Sequence, residues 1–423
     1  MQRGRNRWRA RAAASAVAVA CAVTAACSGG GAPPGGQPSP SRAASGATSA
    51  DAGQPAPSPT AATSSSAQPS GSAPAASACV SQVLGRLTLA QQVGQLFLVG
   101  VAGDVSGPQL TAAVRTYHFG SLLLTRSAAG TAALARQAIA MQSLAPSGTG
   151  GIGFFIAANQ EGGAVQQLTG PGFAAMPSAL VQGGWPQAAL RAAAAQWGTD
   201  LRAAGVNLNL APVMDVVPEA TAAGNAPIGA LMREFGFDPA TNGAHGAAFI
   251  KGMAAAGVMT VAKHFPGLGR VTGNTDFTAD VVDDVTTASD PYLDSFRAAI
   301  GAGVPMVMVA LASYTKIDAS QLAVFSPVVM RLLRDGLGFA GVIVSDDLGQ
   351  AQAVQAVPAG KRALGFLAAG GDLITSQDLG PAEQMAAAVL ARASGDTAFR
   401  ATVDAAAARV LAAKQAAGLL PCG

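Results

Sequence analysis

The sequence predicts a (β/α)8 barrel filling residues 79–423. Two observations carry that expectation. Eight short, continuous apolar runs are spaced along this part of the chain, and Ala-rich segments of helical character lie between most of them. Composition agrees: half of the 423 residues are hydrophobic and only 12% are charged, enough apolar material for one large core.

The runs are Leu96–Val101, Ser121–Leu124, Gly153–Ala157, Val206–Ala211, Val258–Ala262, Pro305–Ala310, Gly341–Val344 and Asp372–Thr375. They are continuous and not alternating, which suits parallel strands buried on both faces. Helical candidates such as Gln187–Ala204, Asn242–Ala256 and Tyr292–Gly301 supply crossovers. A doubly wound open sheet is the alternative. It is weakened because no Gly-x-Gly-x-x-Gly turn follows the first run, so a dinucleotide site is not expected.

Ahead of the barrel the chain reads as an export signal and a tether. Arg3, Arg5, Arg7, Arg9 and Arg11 precede an uncharged apolar run from Ala12 to Ala26, short for a bilayer span and rich in small residues. The run ends in Val23-Thr24-Ala25-Ala26-Cys27, which is similar to a bacterial lipobox whose cysteine takes a lipid. Residues 1–27 are therefore expected to be a signal peptide with Cys27 as lipid attachment site, placing the protein at the outer face of the cell membrane; plain secretion is the alternative. Residues 28–78 are Ala, Gly, Pro, Ser, Thr and Gln with Arg42 and Asp51 as the only charges, a composition that cannot bury enough apolar surface to fold and predicts a disordered tether. The formal net charge is +3, and without the five leading arginines the balance turns slightly negative, so no nucleic-acid partner is expected. Cys79 and Cys422 bracket the folded part, and in an oxidising compartment they are expected to form a disulfide.

Barrels of this kind build their sites where strands end. Four of the apolar runs lead straight into polar residues: Asn159-Gln160-Glu161, Asp215, Lys263-His264, and Ser345-Asp346-Asp347. Carboxylates at buried strand ends cost free energy unless satisfied or used, and four such ends on one rim predict a binding site.

The segments NQEGGAVQQL, VNLNLAPVMDVV, KHFPGLGRVTGNTD and GVIVSDDL, in this order, resemble the motifs of glycoside hydrolase family 3, on its bacterial single-domain β-N-acetylhexosaminidase branch. The resemblance runs from Thr88 to about Ala413. It implies a retaining glycosidase that acts on N-acetylglucosamine-containing cell-wall sugars, works as a monomer, and uses no metal or other cofactor. It implies Asp346 as nucleophile, and Lys263, His264, Arg233 and Asn159 as sugar-binding residues with Asp215 in support. Asn159 and Gln167 stand where the branch usually has Asp and Arg. The branch's Asp-x-His acid/base dyad is absent: Asn274, Thr275 and Asp276 stand at that place, and the only histidines are His118, His245 and His264.

Three functions follow. The first is a retaining glycosidase in which Asp276 serves as acid/base, a carboxyl pair being the usual arrangement for such enzymes. The second is a cell-surface sugar-binding protein on a catalytically impaired barrel. The third is the same barrel with another acceptor chemistry, such as transglycosylation or phosphorolysis.

Overall fold

A computed structural model of the protein describes residues 77–101 and 107–422. Cys27, the expected signal peptide and nearly all of the expected tether lie outside the described residues.

Eight parallel strands close into a barrel: β1 (Phe97–Val101), β2 (Ser121–Leu124), β3 (Phe155–Ala158), β4 (Leu208–Asn209), β5 (Met259–Phe265), β6 (Met306–Val309), β7 (Val342–Asp347) and β8 (Leu373–Ser376). Each apolar run of the sequence supplies one strand, and β8 pairs with β1 to complete the ring. Closure excludes the open doubly wound sheet. Helices lie between strands as expected, among them Gln187–Ala203 and Pro239–Ala255. The second begins with Asp238 accepting a hydrogen bond from the Thr241 N–H at 2.8 Å and with a proline in its first turn, the pairing of cap and rigid start that nucleates a helix.

Three strands depart from the hydropathy pattern, and each departure bears on the site. β4 keeps only two ladder residues of its six-residue apolar run. Side-chain amides add to its pairing: Asn209 Oδ1 accepts from the Gln160 N–H at 3.0 Å and Asn209 Nδ2 donates to the Gln160 carbonyl at 2.9 Å. Asn207 does the same toward Ile156 and Phe154. β5 and β7 instead run past their apolar residues into the charged ones. In β5 the register against β6 shifts between Ala262 and Phe265, and in β7 the register against β8 shifts between Val344 and Asp347. Each holds one more residue than its partner over that stretch, a bulge that turns side chains away from the regular in–out alternation. Lys263, His264 and Asp346 sit in these two irregular stretches.

The opposite mouth is plugged. Lys414, on the C-terminal helix Thr397–Ala416, is fully buried and donates from Nζ to Gln95 Oε1 at 2.7 Å and to the Gly120 carbonyl at 2.6 Å. These acceptors stand just before β1 and β2, so the helix is fastened beneath the barrel. Burial pushes the Lys414 ammonium down to about 7. At the same end Cys79 and Cys422 form the expected disulfide, with Cα atoms 6.0 Å apart, over a small apolar cluster of Val80, Val83, Leu87, Ile152 and Leu411.

Candidate active site

The site begins with a carboxylate between two buried cations. Glu161 lies in a short strand, Gln160–Gly162, that follows β3. Arg233 meets it in a two-pronged pair, Nε to Oε2 and Nη2 to Oε1, both 2.8 Å, while Arg233 Nη1 donates to the Pro227 carbonyl at 2.8 Å. Lys263 Nζ lies 2.6 Å from Glu161 Oε1 and donates to Asn159 Oδ1 at 2.8 Å. Burial alone would raise the Glu161 carboxyl, but the adjacent Arg233 and Lys263 charges outweigh it and hold the group at about 2. Burial pulls the Lys263 ammonium below its ordinary value, with Glu161 acting in the opposite direction.

Glu161 is therefore a fixed anion and not a proton donor. The sequence placed Glu161 at a strand end of the expected binding site but assigned it no role there. The signal that could have found it is the pair of expected sugar-binding cations, Arg233 and Lys263, which need a buried counter-charge.

The second group is built on Asp215, which is wholly buried. Its Oδ1 accepts from the backbone N–H groups of His264, at 3.0 Å, and Leu268, at 2.9 Å; its Oδ2 lies 2.7 Å from His264 Nδ1. The carboxylate thus places the His264 ring and fixes the chain on both sides of Pro266-Gly267. Its expected supporting role has this concrete form. Leu268 gives Asp215 its backbone N–H while its side chain is buried in the core.

Asp346 stands at the end of β7, half-buried, where its Oδ1 accepts from the Asp347 N–H at 2.8 Å. Its charge acts on both Arg233 and Lys263, favouring their charged forms, which locates it against the same cluster. Asp347 has a different task. It accepts from the backbone N–H groups of Gly349 at 2.8 Å and Gln377 at 3.0 Å, joining the loop after β7 to the end of β8.

The loop after β5 carries Asp276. Two features hold it in place. Arg270 grips Asp290 and Thr286, with Nη1 2.6 Å from Asp290 Oδ2 and 2.9 Å from Thr286 Oγ1, and its guanidinium lies 3.9 Å over the Tyr292 ring. Further on, the Gln352 and Ala353 N–H groups donate to the Asp276 and Thr275 carbonyls, both at 3.1 Å, fastening this loop to the one that follows Asp346. Asn274 Oδ1 accepts from the Asp276 N–H at 2.9 Å, so the asparagine shapes the turn.

The Asp276 carboxyl is pushed up to about 6. Crowding by surrounding protein raises it first and the negative charge of Asp346 raises it further, while His264 pulls the other way. Asp347 adds to the upward push and Arg233 opposes it, and the residue stays exposed on its outer side. Asn159, Asp215, Arg233, Lys263, His264, Asp276 and Asp346 are thus joined by hydrogen bonds or by mutual charge effects at one mouth. Chemically the arrangement offers one carboxyl with a raised proton affinity, a second on a strand tip, and fixed cations between them and the wall.

Comparison with known proteins gives the family. The family described as glycosyl hydrolase family 3 N terminal domain matches residues 88–413. The chain is 49% identical to the crystal structure of a β-N-acetylhexosaminidase from Beutenbergia cavernae, with a TM-score of 0.75 over 78% of this chain and 99% of that one. A family 3 β-N-acetylglucosaminidase from Paenibacillus is 29% identical, with a TM-score of 0.71 over 79% of this chain and 63% of that one. The β-hexosaminidase of Xanthomonas campestris pv. campestris is 33% identical over 290 residues, 66% of this chain and 83% of that protein.

Proposed function

Because this chain belongs to glycosyl hydrolase family 3, we propose that it hydrolyses β-linked N-acetylglucosaminides with retention of configuration, using Asp346 as nucleophile and Asp276 as acid/base. The observation that carries this reading is the pairing of these two carboxyls across loops that are fastened to one another, with Asp346 raising the proton affinity of Asp276. A carboxyl with raised proton affinity beside a carboxylate on a strand tip gives the site a donor and a nucleophile. The sugar class rests on what the relatives above are named for.

In the first step Asp346 Oδ forms a bond to the anomeric carbon as the glycosidic C–O bond breaks. The electron pair goes to the leaving oxygen, which takes the proton from Asp276. In the second step Asp276, now a carboxylate, takes a proton from water. The water oxygen bonds to the anomeric carbon and the C–O bond to Asp346 breaks, restoring both groups. Lys263 and His264, held by Glu161 and Asp215, donate to sugar hydroxyls, and Arg233 fixes the wall against which they stand.

Asp276→Ala tests the assignment. Loss of a general acid costs about 10²–10⁴ in rate on a disaccharide and far less on an activated aryl glycoside, and added azide restores part of the second step. Equal losses on both substrates remove Asp276 from this role.

We also propose export, with Cys27 as a lipid anchor, and action on cell-wall-derived sugars outside the cell. The Cys79–Cys422 disulfide supports an oxidising compartment. Cys27→Ala moves the protein from the membrane fraction to the medium; unchanged partitioning refutes the anchor.

A further inference from the structure

We propose that Phe277 is the platform for the leaving-group sugar, so that the enzyme distinguishes a glycan aglycone from a small one through this ring. The inference deepens the reading above and rests on Asp276 being the acid. Phe277 follows Asp276 directly and leaves 81% of its surface open. An aromatic ring this exposed covers no core and has no packing role for the described residues.

The turn that presents it is firmly built. The Phe277 and Thr278 N–H groups both donate to the Asn274 carbonyl, at 3.0 and 2.8 Å, and Thr275 is buried beneath. The same turn is tied to the loop after β7 through Gln352 and Ala353. The ring is therefore offered from a fixed support, which lowers the ordering cost of whatever binds it.

Mechanism says which sugar meets it. Asp346 lies in the barrel strand itself and attacks the anomeric carbon of the transferred sugar, so that sugar sits inward. The acid must reach the glycosidic oxygen on the side of that carbon opposite the nucleophile. Whatever lies outward of Asp276 belongs to the leaving group. Phe277 is outward: the turn is exposed from Asp276 to Asp280, Phe277 is the most open of the large apolar side chains described, and Asp276 feels the charge of Asp346. The C–H face of a pyranose is apolar, and an aromatic ring is its natural support.

The test compares two substrates with equally poor leaving groups, a β-linked N-acetylglucosamine disaccharide and the methyl β-glycoside of the same sugar. Only the first has a second ring. Phe277→Ala lowers the ratio of kcat/KM for disaccharide over methyl glycoside about tenfold, mainly through KM, and Phe277→Trp returns it to within about twofold of the parent. An unchanged ratio in the alanine variant, or a tryptophan variant that behaves like it, overturns the proposal. Asp276→Ala, by contrast, lowers both substrates in parallel and leaves the ratio alone; if it lowers neither, the acid assignment falls, whatever Phe277 does.

Discussion

Glu161 holds Arg233 through both of its carboxylate oxygens, at 2.8 Å each, and the same carboxylate lies 2.6 Å from the ammonium of Lys263. One anion between two cations leaves a positive surplus, and Asp346 lies close enough to act on both of them. The wall of the site is thus an ion network before any sugar arrives. Its members must be kept in place jointly, because Glu161 and Lys263 are buried and neither has water as an alternative partner.

Glu161→Gln is expected to be among the most damaging single changes. It leaves two buried cations facing each other without their counter-charge, and breaking a buried pair typically costs about 3–5 kcal/mol. Urea unfolding at pH 7 measures this directly. The pH dependence has a fixed sign. The folded-state carboxyl, at about 2, is depressed from its ordinary 4.5, so its stabilisation is present above about 4.5 and is lost as pH falls toward 2. The gap between parent and variant therefore narrows over that window. A gap that is constant from pH 7 to 3 contradicts the ion-network account.

A second expectation concerns activity. With its carboxyl at about 6, Asp276 is protonated and able to donate below that pH and is ionised above it. The kcat/KM for a disaccharide should decline on the alkaline side with a midpoint near 6, and this limb should vanish in Asp276→Ala measured on an aryl glycoside. A limb that persists unchanged in the variant belongs to another group.

Much of this was legible in the residues. All eight strands could be located because parallel barrel strands are buried on both faces and so read as unbroken apolar runs. The strand ends could be located less well. Hydropathy stops at Ala262 and Val344, whereas the ladders continue to Phe265 and Asp347 through bulges that no composition signal marks. β4 is shorter than its apolar run, and the amides of Asn207 and Asn209 join it to β3 and the residues after it alongside the backbone. Within the site, motif resemblance found Asp346 and Lys263-His264. It could not find the counter-ion role of Glu161 or the brace at Arg270, since both depend on partners 72 and 20 residues away.

The disulfide carries its own expectation. Joining residues 343 apart constrains the unfolded chain, a contribution of typically about 2–4 kcal/mol. Replacing both Cys79 and Cys422 by serine should lower the urea midpoint accordingly. It should leave kcat nearly unaltered, because the bridge closes the end of the barrel opposite Asp346. A large fall in kcat at unchanged stability would show that the two ends are coupled.

The proposed reaction passes through a covalent intermediate on Asp346, made and resolved with Asp276. Removing the acid/base slows the second step more than the first when the leaving group is an activated phenol, so the glycosyl-enzyme should accumulate. Asp276→Ala mixed with an aryl β-N-acetylglucosaminide, quenched in acid and weighed intact, should show the mass of one added sugar. Peptide mapping should place that sugar on Asp346. Substrate turnover with no adduct, or an adduct on any other residue, would contradict the mechanism.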